Sequence, residues 1–129
     1  MIFDTSYTDK RIIRKINSAV GLPFGFKERW KLGGIGSRRM AIEEISPEYE
    51  KYLNADHYVS NANIELRPKG VLIHFRHKLQ AYTWVMPYAH LKIEEGEKLK
   101  LTAEGKFIRF KNALEMNAKF IEKMVRLSK

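Results

Sequence analysis

The chain has 129 residues, 44% hydrophobic and 30% charged, with no cysteine and a net charge of +9. That length suits a single domain, 1–129, with enough apolar surface to offset the entropy of ordering the chain. Without cysteine, disulfides, zinc–thiolate centres and cysteine nucleophiles are excluded, and a reducing cytoplasm is the expected compartment.

The N-terminal run MIFDTSYTDK is not apolar and does not read as a secretory signal. No stretch approaches the roughly 18 apolar residues of a membrane span, so a soluble chain is expected, peripheral to a membrane at most. The charge is lopsided. Residues 1–61 hold 10 Lys/Arg against 8 Asp/Glu, and residues 62–129 hold 14 against 7. A basic half of this kind favours an anionic partner, although a surplus of charge also aids solubility.

In chain order, the first predicted element is a helix over Lys10–Val20. Thr8 is its expected cap, Asp9 suits its positive end, and Gly21 and Pro23 follow its stop. Ile12, Ile16, Ala19 and Val20 share one face. Residues 21–39 read as irregular and glycine-rich, anchored to the body by Phe24, Phe26 and Trp30. Residues 40–46 fit a short strand or a helical turn. Pro47 opens a short helix over 48–53 with Ser46 as its cap, and 54–61 read as a loop.

The second half is strand-rich. Residues 63–67 and 71–77 alternate around the turn Pro68-Lys69-Gly70 and predict a hairpin. Strands follow over 81–86, 88–94, 98–103 and Lys106–Lys111, with turns at Glu95-Gly96-Glu97 and Glu104-Gly105. The chain closes with an amphipathic helix, Ala113–Leu127, in which Asn112 and Glu115 have capping-box spacing. Leu114, Ala118, Phe120, Ile121, Met124, Val125 and Leu127 form its apolar stripe. The predicted class is α+β: a curved antiparallel sheet or barrel capped by the C-terminal helix, preceded by an N-terminal helix and irregular segment over 1–61.

The run from Gly70 to Phe75, then Trp84-Val85-Met86-Pro87-Tyr88 with Leu91 and Ile93, resembles the middle strands of bacterial pleckstrin-homology and GRAM-like domains. Leu99 to Ile108 resembles their later hairpin, and the closing helix resembles their capping helix. The resemblance covers roughly residues 62–129. It implies a PH-like barrel and carries no functional residue across, since such folds host many functions.

Two groups of residues are candidate anion sites. Gly34, Gly36, Ser37, Arg38 and Arg39 could combine close-approaching backbone amides with two arginines, although the GK[ST] ending of a P-loop is absent. Outward Arg67, Lys69, Arg76 and Lys78 could form a basic hairpin surface, with His74, His77 and Tyr82 beside it. Each group also has a plain structural reading, as a surface loop and as edge charges that deter aggregation.

His74 and His77 lie three apart on one strand and point to opposite faces, and His57 and His90 lack metal-ligand spacing, so no metal or other cofactor is expected. Glu43, Glu44, Glu48 and Glu50 read as a solvated face, and no catalytic motif is recognisable. The leading expectation is a non-enzymatic binding module whose basic surface meets an acidic protein or lipid headgroups, with Trp84 and Tyr88 as contacts if exposed. A nucleic-acid-binding protein and an enzyme with a site between the N-terminal segment and the sheet are the alternatives.

Overall fold

Alternating apolar and polar residues, cut by turns at Pro68-Lys69, Lys78-Leu79 and Glu104-Gly105, lay down most of the sheet. The computed structural model describes residues 1–53, 60–111 and 113–129. The strands are β1 (Ile2–Asp4), β2 (Met40–Ile45), β3 (Asn61–Arg67), β4 (Gly70–His77), β5 (Gln80–Pro87), β6 (Leu91–Glu94), β7 (Leu99–Ala103) and β8 (Lys106–Lys111). The helices are α1 (Lys10–Val20), α2 (Phe26–Leu32) and α3 (Ala113–Leu127).

All strand pairs are antiparallel, and the order β1-β5-β4-β3-β2-β8-β7-β6 makes one curved sheet that does not close. Two meanders, β3–β5 and β6–β8, are joined through β2, which pairs with β3 on one side and β8 on the other. The α+β class is therefore as expected from the sequence.

The concave face holds the main core. Ile64, Leu66, Val71, Ile73, Trp84, Met86, Leu99, Leu101, Ile108 and Phe110 are buried there. Phe120, Ile121 and Met124 of α3 cover it, and Tyr49 and Tyr52 pack from a 3₁₀ turn over Pro47–Tyr52. The stripe of α3 is narrower than predicted, because Ala118 is exposed. The helix also kinks at Asn117, whose φ is −129°.

A smaller core lies on the opposite face, where Ile16 and Val20 of α1 pack on Leu72 and Val85. Gly70 makes this docking possible. A Cβ there would lie 2.5 Å from Val20 Cγ1 and 2.6 Å from the Met86 carbonyl oxygen.

Several local expectations are corrected. Asp9, not Thr8, caps α1, accepting a hydrogen bond from Arg11 N at 2.8 Å. Ser46 does not cap the next turn; its buried hydroxyl accepts from Phe107 N at 2.7 Å, fixing β2 to β8. The helix expected over 48–53 is the 3₁₀ turn, and residues 40–46 resolve as the strand β2. The predicted segment 88–94 opens with a 3₁₀ turn, Tyr88–His90, before β6.

The N-terminal part holds more regular structure than one helix. It also contains β1, β2 and α2, so the description of 1–61 as a helix and irregular segment is too sparse. Of the three expected anchors only Phe24 packs on the core; Phe26 and Trp30 are in solvent. Most of the loop expected at 54–61, and Asn112 of the expected capping box, lie outside the described residues.

Candidate functional site

Strand alternation divides the convex face into two halves. Because Ala62, Ile64, Ile73, Phe75 and Trp84 point into the main core, Asn61, Asn63, Glu65, Leu72, His74, Arg76 and Thr83 point away from it. Helix α1 covers the half containing Leu72 and Val85. The other half is left open as a cleft of about 340 Å³ lined by Thr5, Arg39, Asn61, Asn63, His74 and Arg76, among others.

Each strand delivers its polar residue for a register reason. Met40 pairs with Ala62 inside the core, which turns Arg39 to the cleft. Asn63 pairs with His74, His74 with Thr83, and Arg76 with Ala81. Thr5 follows β1, where its amide donates to Ala81 O at 2.8 Å.

A hydrogen-bonded chain runs through two of the lining residues, His74 and Thr5. Glu65 Oε1 lies 3.0 Å from His74 Nε2, and His74 Nδ1 lies 3.0 Å from Thr83 Oγ1. A carboxylate can only accept, so Nε2–H donates to Glu65, and in the neutral ring Nδ1 accepts from the Thr83 hydroxyl. Thr83 then accepts from Thr5 Oγ1 at 2.9 Å. Burial pushes the Glu65 carboxyl up, but hydrogen bonds from His74 and Arg67 outweigh it and hold it below the usual range.

Hydroxyl, imidazole and carboxylate in line resemble a nucleophilic triad in composition only. Thr83 is 1% exposed and its hydroxyl already bonds His74 and Thr5, so it is not offered to a substrate. The chain instead fixes the His74 ring and carries on to Arg67, whose Nε donates to Glu65 Oε2 at 2.6 Å.

The basic hairpin group does not gather. Arg67 is buried beneath α1, where it also donates to Asn17 Oδ1 and Gly21 O, both at 2.9 Å. Lys69 and Lys78 are exposed at opposite ends of the eight-residue β4, roughly 25 Å apart along the strand. Only Arg76 reaches the cleft.

The glycine loop is put to another use as well. Gly33, with φ +73°, ends α2: its N–H donates to Trp30 O, and that of Gly34 to Arg29 O. Ser37 N donates to Ile64 O at 2.8 Å, and Arg38 N to Asn117 Oδ1 at 2.8 Å. Gly36 bridges to Glu65 as the segment runs alongside β3. Four of the loop's amides are thus engaged within the protein, and the side chains of Arg38 and Arg39 remain.

One arginine from each predicted group, Arg39 and Arg76, therefore meets at a single cleft. Among the described residues neither makes an ion pair or side-chain hydrogen bond, whereas several cations of the meander β6–β8 do. Lys98 and Arg109 pair with Glu43, Arg109 also pairs with Glu44, and Lys106 pairs with Glu48 at 3.1 Å. The expected solvated acidic face is largely exposed, at Glu44, Glu48 and Glu50, and three of its members, Glu43, Glu44 and Glu48, also pair with cations of the meander β6–β8.

The aromatic residues expected to make contact turn inward. Trp84 is buried edge-on against Tyr49, and Tyr82 stacks on Phe75. Tyr88 is half-buried and donates to Arg67 O at 3.2 Å, and burial pushes its hydroxyl up to about 12. Thr5, Asn61 and Asn63 escaped the sequence reading. The polar alternation Asn61-Ala62-Asn63 was the available signal for two of them.

Among the described residues no three His, Asp or Glu side chains gather as metal ligands, and no helix is long and apolar enough to cross a membrane. Comparison with known proteins gives no match to any family model, curated protein or solved structure.

Proposed function

We propose that this chain is a non-enzymatic binding module that receives an anionic group, a phosphate or a carboxylate, in the cleft between Arg39 and Arg76. The observation that carries this reading is the meeting of those two arginines at one cleft, each without an acidic partner among the described residues. They line it with amide and imidazole side chains. A guanidinium presents five N–H donors in a fixed fork suited to a planar or tetrahedral oxyanion. Asn61 and Asn63 can add amide donors, and His74 is held in one orientation by Glu65 and Thr83.

Two meanders joined by a strand and closed by a helix support a PH-like reading of the body, with the anion presented by an acidic protein or a lipid headgroup. A cysteine-free chain fits a cytoplasmic setting. The buried Thr83 hydroxyl favours binding over catalysis.

Titrating inorganic phosphate and acetate into labelled protein at low salt, with amide and arginine side-chain resonances followed by NMR, tests the reading. Shifts should centre on Arg39, Asn61, Asn63, His74 and Arg76 and weaken as salt is added. Unchanged spectra at millimolar anion, or shifts centred elsewhere, would overturn it.

A further inference from the structure

We propose that α2, with the residues leading into it, is an interfacial foot that lies on an anionic phospholipid bilayer. The helix buries none of its own residues, so its formation is not explained by packing on the domain. Leu22, Phe26 and Trp30, spaced four apart, are 69%, 86% and 81% exposed. On the helix Trp30 points roughly 200° away from Leu32, the half-buried residue that faces the body. Two of the three most exposed aromatic side chains among the described residues, Phe26 and Trp30, thus share one short outward face.

The foot is held firmly from behind. Lys123 of α3 donates to Leu32 O at 2.9 Å and Gly34 O at 3.1 Å, and Arg29 Nε donates to Phe24 O at 3.1 Å. The carbonyls of Arg29, Trp30 and Leu32 are met in this way or by Gly33 and Gly34, so the C-terminal end of the helix, which carries Trp30, is held in place.

Charge selects the occupant. Residues 21–34 hold Lys27, Arg29 and Lys31 against Glu28 alone, a net of +2. Lys27 and Lys31 line the same surface as Phe26 and Trp30, and neither pairs with an acid among the described residues. A second copy of the chain would set these charges against their own kind. Bases could stack on the aromatics, but Leu22 offers them nothing. An anionic bilayer takes all three apolar side chains at headgroup depth, with the lysines reaching outward to phosphate.

Trp30 reports on this directly, because the only other tryptophan, Trp84, is buried. Full-length protein is mixed with phosphatidylcholine vesicles, with or without phosphatidylglycerol, and Trp30 emission and co-sedimentation are read. Anionic vesicles should shift the emission to the blue, shield it from aqueous quencher and carry the protein down. F26A and W30A should each weaken partitioning roughly tenfold or more. K27Q/K31Q should weaken it by a similar factor, and R39A/R76A should weaken it less than K27Q/K31Q does.

All of these substitutions are at exposed positions, and the near-ultraviolet circular dichroism from Trp84 checks that the fold persists. No blue shift and no sedimentation at low salt would overturn the proposal. So would a lipid-independent shift that grows with protein concentration alongside a sedimenting dimer, or a shift with oligonucleotide and none with vesicles. Binding that survives W30A and F26A but fails in R39A/R76A would move the membrane contact to the cleft, also against the proposal.

Discussion

Replacing Arg67 with alanine removes the one side chain that, among the described residues, ties the polar chain of the sheet to α1. In the folded protein its side chain is 10% exposed and that of Glu65 24%. The guanidinium meets the Glu65 carboxylate, the Asn17 side chain and the Gly21 carbonyl. Alanine leaves the Glu65 carboxylate with His74 as its remaining partner and strands two further acceptors beneath the helix. Breaking a buried ion pair from one side costs about 3–5 kcal/mol. The partial exposure of Glu65 and its bond to His74 place R67A near the lower end, about 3 kcal/mol. For a chain of this size that is a fall in Tm of roughly 10 °C.

Urea denaturation of wild type, R67A, E65A and the double variant provides the assay. The double variant should be more stable than the two single losses added together, with a coupling of roughly 1–3 kcal/mol. R67M should also fail to rescue, since it restores volume without donors. A loss below about 1 kcal/mol in R67A, or an additive cycle, would refute the account of Arg67 as the link between helix and sheet.

Three further outcomes follow from the same structure. Glu65 is held below its ordinary value of 4.5 in the folded state, so its stabilising contribution is present above that pH and is lost as pH falls through the folded value. The stability gap between wild type and E65Q should therefore narrow below pH 4.5 in acid-unfolding curves, and a constant gap would contradict this. G70A should destabilise the fold by about 3 kcal/mol in urea melts, because its methyl would meet Val20 and the Met86 carbonyl; a neutral substitution would mean that α1 can lift away without cost. K123M should speed amide exchange across Phe26–Leu32 while leaving exchange in the core strands unchanged, since Lys123 holds the carbonyls at the end of α2; unchanged exchange in α2 would mean that its C-terminal glycine motif suffices.

Elements with local causes were legible in the sequence. The periodicity of Lys10–Val20 and the alternation around Pro68-Lys69-Gly70 each carry their own stop and turn residues, and both elements form where expected. β1 was not legible, because three residues pair with Trp84, Thr83 and Tyr82 across 80 positions of chain, and no pattern within Ile2–Asp4 announces that partner. α2 was missed for the opposite reason: its large apolar residues face solvent, so the inward stripe that normally marks a helix is absent. Its one clear sign was the Gly33-Gly34 stop, which looked like an anion loop.

The cleft shows how far single-strand reasoning extends. Alternation correctly turned Arg67 and Arg76 away from the main core. It could not reveal that α1 lies over one and leaves the other open. Nor could it bring Arg39 beside Arg76, because their meeting depends on the order β4-β3-β2, which no local feature encodes. The same order brings Lys98, Lys106 and Arg109 to Glu43, Glu44 and Glu48, so that three cations of the basic second half are matched by acids of the first.

The central claim is that an oxyanion is held between Arg39 and Arg76, and calorimetric titration of phosphate into wild type, R39A, R76A and the double variant at two salt concentrations tests it most directly. The account predicts measurable binding in the wild type that weakens at the higher salt, a loss of roughly fivefold or more in each single variant, and none detectable in the double variant. Equal binding in all four proteins would contradict it.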